Sequence, residues 1–245
     1  LWIFTHYDNY NILFTVSLVT ALIGLLINTT VDCKYRPPVL DKKKMSLDRF
    51  IMLEGWSQGL CIAFVAVAYG VLSTYIAIYS QDVLNITAGT GTFFMLFAVG
   101  LIMSRFFGVR YLSKGFVVRN ATYGVICVAI GYSLFAFWQN LYGYYISAVV
   151  IGFGQGSMYP AVQTMFLNMA SNDKRGTANA TILTSWDLGI GLGIIGGGYV
   201  AEHLGGYNSA FLLSVIVSVI SVVFFISYAR KEYEKSLKSK VETRQ

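Results

Sequence analysis

The sequence predicts an all-α membrane protein that crosses the bilayer seven times. Apolar residues make up 56% of the 245 residues, charged residues only 12%, and the mean hydropathy is +0.60, which excludes an ordinary soluble domain. The apolar residues form long stretches that lack the alternation of apolar and polar side chains typical of β-strands. In lipid, a single segment can satisfy the hydrogen bonds of its own backbone only as a helix. Stretches of about 20 residues or more, the length that spans a bilayer, occur at about 10–31, 55–80, 88–109, 117–138, 141–168, 177–201 and 208–229.

The basic residues predict the orientation of these spans. All 18 Lys and Arg residues lie in or beside the first, third and fifth connectors, or in the C-terminal tail. By the positive-inside rule, the N-terminus faces outside and the tail faces the cytoplasm. The net charge of +6 therefore reflects topology, and no nucleic-acid partner is expected. The outer ends of the spans predict an interfacial aromatic belt that includes Tyr79, Trp138, Tyr142, Tyr144 and Tyr199.

A short repeated sequence motif predicts how the spans are grouped. Residues 10–14 (YNILF) open the first span and residues 207–211 (YNSAF) open the last, and both spans run from outside to inside. Many transporters are built from two parallel halves, so we expect about five further helices of the first half to precede this chain in the full protein. The expected parts are a last helix of the first half (1–33), a basic cytoplasmic linker (34–50), a complete six-helix half (51–229) and a basic cytoplasmic tail (230–245).

Four motifs in the second half of the chain resemble the C-terminal half of a major facilitator superfamily (MFS) transporter. They are 152–160 (GFGQGSMYP), 172–176 (NDKRG), 187–198 (DLGIGLGIIGGG) and 206–211 (GYNSAF). The resemblance covers about residues 50–229 and is closest to bacterial sugar-efflux and multidrug-efflux permeases. In this family a cytoplasmic loop between the second and third helices of each half reads Gly-x-x-x-Asp-Arg-x-Gly. Here Gly108 and Gly115 keep the spacing of the two glycines, but Leu112 and Ser113 stand where the family has Asp and Arg.

The resemblance implies a function and a setting. It implies a secondary transporter of the bacterial inner membrane that exports a small molecule, a sugar or a drug-like compound, by alternating access, with protons as a candidate coupling ion. The implied partners are the lipid bilayer and the other half of the same protein, and no cofactor is implied. Helices one, two, four and five of each half are implied to line the cavity.

Polar residues inside the predicted spans are the candidate substrate contacts, because polar groups are costly in hydrocarbon and tend to face a bundle or a wet cavity. Gln155, Tyr159 and Gln163 are spaced i, i+4, i+8 and share one helix face. Gln58 and Tyr69 are eleven residues apart, about three helical turns, and also share a face. The alternative is interhelical hydrogen bonding, which contributes about 1 kcal/mol per contact in membranes.

Three charged residues are candidates for gating or proton coupling. Asp187 lies inside the sixth span, where a carboxylate needs a partner or a proton. It is a candidate proton site or part of a cytoplasmic gate, and the alternative is a structural partner for Arg105 or for the other half. Arg105 can also snorkel to the inner surface, and Glu54 can also stabilise the helix N-terminus that follows it.

Glycines in the fifth and sixth spans predict close helix packing. Gly189, Gly193 and Gly197 repeat every four residues, a small-xxx-small pattern that lets two helices approach closely. Gly152 and Gly156 offer a similar face on the fifth span.

Two other classes of protein remain as alternatives. A seven-helix receptor shares the predicted topology, but the chain lacks Asp-Arg-Tyr at an inner helix end and Asn-Pro-x-x-Tyr in the last span. A membrane-embedded enzyme is disfavoured because the two histidines, His6 and His203, both lie on the outer side and the three cysteines are scattered, so no metal cluster is expected.

Overall fold

The computed structural model describes residues 10–30, 51–86, 89–171 and 174–242, and the regular structure within these ranges is helical. The chain divides into two compact units, residues 1–45 and 46–245. The described part of the first unit is one apolar helix, α1 (Tyr10–Thr29), which has no charged residue. The predicted linker at 34–50 lies outside the described residues.

The second unit is a bundle of long helices. They are α2 (Trp56–Asp82), α3 (Gly89–Ser113), α4 (Val117–Phe137), α5 (Leu141–Met169), α6 (Arg175–His203) and α7 (Gly206–Phe224). A short 3-10 turn, Leu53–Gly55, precedes α2. After α7 the chain passes through a π turn, Phe225–Ala229, into α8 (Arg230–Glu242).

Each predicted span coincides with a helix, and within the described residues five helices are long and apolar enough to cross a membrane. The apolar part of α1 is shorter, Phe14–Thr29. Helix α5 has 29 residues, but its glycines, tyrosines and amides lower its hydropathy. Most of its length is buried in the bundle, so it does not need an apolar outer face to lie at membrane depth.

The bundle consists of two groups of helices. Helix α5 packs closely against α3 and α4, whereas α2 packs closely against α6 and α7. The two groups join mainly through α4 and α7, while α5 makes fewer contacts with α2 and α6. Because the backbone of α5 does not approach those of α2 and α6 closely, the space between α5 and these two helices is filled mainly by side chains.

Glycines explain the close pairing of helices. A Cβ added at Gly189 or Gly193 of α6 would overlap the α2 backbone, and one added at Gly197 would lie 2.9 Å from Cγ2 of Val71. The predicted glycine seam on α6 is therefore confirmed, with α2 as its partner. A Cβ added at Gly152 of α5 would overlap the α3 backbone in the same way.

Aromatic rings from five helices close the outer end of the bundle. They are Tyr79, Phe93, Phe135, Tyr144 and Phe211, and all are at most 2% exposed. The ring centroids of Tyr79 and Phe211 are 4.6 Å apart. Tyr79 and Tyr144 were expected in the interfacial belt, and that expectation is wrong because neighbouring helices cover both rings. Tyr142 and Tyr199 are 71% and 61% exposed, as belt residues are.

Much of the predicted tail is an ordered helix. On α8, Tyr233 is only 3% exposed, and its hydroxyl accepts a hydrogen bond of 2.9 Å from Nδ2 of Asn168 on α5. Leu237, one turn further on, packs against the buried core. These two residues hold α8 against the end of the bundle at which the connectors with Lys and Arg lie, which we call the basic end.

Candidate functional site

Four aromatic side chains meet in the middle of the bundle. Tyr69 is the middle residue of α2, and its ring centroid lies 5.6 Å from Trp186 on α6 and 6.0 Å from Phe97 on α3. Tyr159 on α5 packs edge to face against Trp186, with centroids 5.5 Å apart. We call these four residues the aromatic site. They come from α2, α3, α5 and α6, the helices that the family resemblance implied would line a cavity.

The aromatic site keeps part of its surface accessible. Phe97 is 7% exposed and forms the floor, whereas Tyr69, Tyr159 and Trp186 are each partly exposed. Aromatic rings offer large apolar faces, and tyrosine adds a hydroxyl that donates and accepts hydrogen bonds. The site can therefore stack on a ring or an apolar body and hydrogen-bond its polar substituents.

Gln155 places an unused hydrogen-bond donor beside the aromatic site. It is the middle residue of α5, one turn from Tyr159, and it is 6% exposed. The buried Tyr132 hydroxyl on α4 lies beside the Gln155 side chain and interacts with it, although neither the hydroxyl nor Nε2 makes a hydrogen bond of good geometry among the described residues. Leaving such a group unsatisfied costs about 1–3 kcal/mol, so this pair marks a position where an external partner would be stabilised.

Glycines orient α5 so that this polar stripe faces the centre of the bundle. A Cβ at Gly152 or Gly156 would collide with α3, and one at Gly154 would collide with α4. These close contacts fix α5 on two sides. Tyr159 is left facing Trp186 on α6, and Gln155 lies beside Tyr132 on α4.

Asp187 follows Trp186 on α6 but points to a different surface. It is exposed, within electrostatic range of Tyr159, and has no hydrogen-bond or ion-pair partner among the described residues. It lines a shallow cavity of about 430 Å³ on α6. Its neighbours there, Leu188, Leu192 and Ile195, are 62%, 63% and 73% exposed. An unpaired carboxylate on an apolar surface at membrane depth is costly against lipid.

Two of the predicted substrate contacts are used inside the fold. Gln58 is fully buried, donates from Nε2 to the Ala229 carbonyl over 3.0 Å, and accepts from Ser57 through Oε1. It thereby satisfies a carbonyl of the π turn. Gln163 donates to Oδ1 of Asn179 over 3.1 Å and ties α5 to α6. Both contacts fit the alternative of interhelical hydrogen bonding.

The two remaining charged candidates lie at the basic end. Arg105 is exposed on α3, and no contact with Asp187 is found in the described part of the chain, so the structural pairing of these two residues is wrong. Glu54 is exposed in the 3-10 turn before α2, and Gly55 occupies the N-cap of α2 without a side-chain hydrogen bond. The Glu54 side chain therefore does not cap α2 by hydrogen bonding.

A larger groove elsewhere on the bundle is a weaker candidate. It has a volume of about 710 Å³ and lies between α4 and α7, with Phe137, Trp138 and Val222 in its lining. Its serine, Ser133, already donates to the Ala129 carbonyl. The groove thus offers apolar surface with little hydrogen-bonding capacity, as expected of a lipid-facing groove.

Sequence reasoning missed Trp186, Phe97 and Tyr132. Trp186 had one available signal, since it precedes Asp187 and lies far from both helix ends. Phe97 and Tyr132 had none, because aromatic residues are common in apolar spans. Among the described residues no group of three His, Cys, Asp or Glu side chains could hold a metal ion.

One comparison with known proteins bears on this arrangement. A family model described as Major Facilitator Superfamily matches residues 118–244. The matched region runs from α4 to α8 and includes Gln155, Tyr159, Trp186 and Asp187. No curated protein matches the chain.

Proposed function

Because this chain belongs to the Major Facilitator Superfamily, and is thus a multi-pass membrane transporter, we propose that its aromatic site binds the transported molecule. The observation that carries this proposal is the meeting of Tyr69, Tyr159 and Trp186 beside the unsatisfied Gln155 amide. These groups lie near the midpoints of their helices. Carriers of this architecture bind substrate near the bilayer midplane.

The chemistry of the site favours a small neutral or amphiphilic substrate, a sugar or a drug-like compound. The aromatic rings can stack on a sugar face or on a drug ring, and the amide and hydroxyl groups can bond to hydroxyl or carbonyl substituents. No Lys or Arg lies among these residues, so a strongly anionic substrate lacks a counter-charge.

A second six-helix lobe of the same protein is proposed to cover the Asp187 surface of α6. The unpaired carboxylate beside exposed Leu188 and Leu192 supports a wet cavity or a polar partner there rather than lipid. The repeated motif, YNILF and YNSAF, supports two related halves. Rocking of these halves would expose the aromatic site to each side in turn.

Export, proton coupling and a bacterial inner membrane are the finer parts of the proposal. Export and location rest on the resemblance of 152–160 and 187–198 to bacterial efflux permeases. Asp187 is the proposed coupling acid because it lies inside α6 near Tyr159 and lacks a protein partner in the described part of the chain. The receptor alternative has no comparable support, since the matched family consists of transporters.

Substrate flux tests the proposal directly. The full-length protein is reconstituted into vesicles, and labelled sugars and drugs are screened with and without a pH gradient. Tyr159→Phe should reduce flux of the substrate found, and Trp186→Ala should reduce it further. The control is Tyr142→Phe, an exposed tyrosine at the outer end. Unchanged flux in both site variants would show that the aromatic site does not bind the transported molecule.

A further inference from the structure

A cleft at the basic end of the bundle lies outside the site described above. It has a volume of about 400 Å³ and is formed by the turn before α4, the first turns of α4, and the start of α8. Its charged lining residues are Arg119, Arg230 and Glu234. The transport proposal uses none of them.

Two guanidinium groups reach this cleft with free donors. Arg119 Nε donates to the Tyr123 hydroxyl over 3.0 Å, and its guanidinium carbon lies 5.5 Å from the centroid of the Tyr123 ring. Arg230 Nε donates to Glu234 Oε1 over 2.9 Å. These bonds use only Nε of each arginine, so the Nη groups remain available for a ligand within the described structure.

The backbone adds to this donor set. Gly115 has a φ of 79° and turns the chain sharply into α4. Phe116 is the N-cap of α4 and makes no side-chain cap. The first N–H groups of α4 therefore have no intrahelical acceptor, and the positive end of the helix dipole points toward the cleft.

We propose that this cleft binds a phosphate group. The planar guanidinium group of arginine presents pairs of N–H donors whose spacing matches two phosphate oxygens, so it can bind phosphate in a bidentate manner. Glu234 offsets one of the two arginines, and Lys114, which precedes Gly115 in the sequence and is not part of the cleft lining, is a further positive charge in the same turn. In the orientation that the basic loops predict, the cleft lies near the headgroups of the cytoplasmic leaflet, so we take the phosphodiester of an anionic lipid as the nearest source.

Lipid binding to the full chain in detergent, followed by native mass spectrometry, tests the proposal. Phosphatidylglycerol is titrated in one arm, and inorganic phosphate or glycerol phosphate in the other. The Arg119→Gln, Arg230→Gln double variant should lose affinity by about tenfold or more, as expected for two charged hydrogen-bonding groups. The charge-matched control is Arg175→Gln, Lys238→Gln, which removes two exposed cations outside the cleft and should retain affinity.

Glu234→Gln distinguishes a phosphate site from a purely structural ion pair. It removes a negative charge from the cleft and frees Arg230 Nε, so affinity should rise severalfold. Binding of lipid alone would identify a headgroup site, and binding of the soluble anions as well would identify a general phosphate site. Equal loss in the double variant and its control, or weaker binding in Glu234→Gln, would overturn the proposal, as would no binding in either arm.

Discussion

Tyr159 and Trp186 pack edge to face, with ring centroids 5.5 Å apart and ring planes at 82°. This contact joins α5 to α6 where the two helices make few other contacts. Tyr69 approaches the same tryptophan from α2 at 5.6 Å. Trp186 therefore links α6 to both α5 and α2, three of the helices that surround the proposed binding site.

Trp186→Ala should weaken substrate binding by about tenfold, since aromatic pairing contributes about 0.5–1.5 kcal/mol beyond the buried area. Trp186→Phe should retain most of the affinity because it keeps an aromatic face. Equilibrium binding of the substrate found in the flux screen checks both. Trp138→Ala at the outer end is the control, and an equal loss there would point to general destabilisation.

Gln155 and Gln58 form a matched pair, because both are buried amides and only the Gln58 amide nitrogen makes a hydrogen bond of good geometry. Gln58→Met should lower the free energy of unfolding by about 1–3 kcal/mol, since the Ala229 carbonyl loses its donor. Gln155→Met should leave stability unchanged or raise it by about 1 kcal/mol, yet reduce transport. Thermal unfolding in detergent and vesicle flux measure the two effects. Equal destabilisation by both substitutions would contradict the view that the Gln155 amide, unlike that of Gln58, lacks a stabilising hydrogen bond within the fold.

Gly193 and Gly191 should respond to alanine with opposite signs. A Cβ at Gly193 would overlap the Val67 backbone, whereas nothing lies within 4 Å of a Cβ at Gly191. Gly193→Ala should destabilise the bundle by about 1–3 kcal/mol through overpacking. Gly191→Ala should stabilise it by about 0.5–1 kcal/mol through backbone entropy. Unfolding midpoints of the two variants check this, and a stabilised Gly193→Ala would argue against the α2–α6 seam.

Asp187→Asn should remove the effect of a pH gradient on flux while leaving substrate binding intact. The amide keeps the shape of the side chain but cannot exchange a proton near neutral pH. Flux with and without the gradient measures this. Glu202→Gln, an exposed acid near the outer end of α6, should retain the full gradient response. A full response in Asp187→Asn would assign coupling to another residue.

The sequence was sufficient to predict the helices and one polar stripe. Long apolar segments and the placement of Lys and Arg predicted the spans, because lipid demands helices of that length. The i, i+4 spacing of Gln155 and Tyr159 placed both on one face of α5. The glycine repeat on α6 predicted a close helix contact, although it did not identify α2 as the partner.

The remaining features depend on tertiary contacts that no local pattern encodes. Gln58 and Gln155 are both amides inside predicted apolar spans, but a π turn 171 residues away supplies a carbonyl to Gln58 and not to Gln155. Trp186 and Phe97 are apolar residues in apolar spans, so periodicity could not separate them from lipid-facing neighbours. Tyr233 and Leu237 are spaced i, i+4 in a charged segment, and this spacing could have predicted the docked helix α8.

Side-specific labelling of a cysteine at Tyr159 tests the central claim most directly. Cys33, Cys61 and Cys127 are replaced, and Tyr159→Cys is treated with a membrane-impermeant thiol reagent from each side of oriented vesicles. Ile130→Cys, on the outer surface of α4 and 49% exposed, is the lipid-facing control and should not react from either side. The account predicts that Tyr159→Cys reacts from both sides and that substrate slows both reactions. Reaction from one side only, or from neither, would contradict a site that opens alternately to the two faces of the membrane.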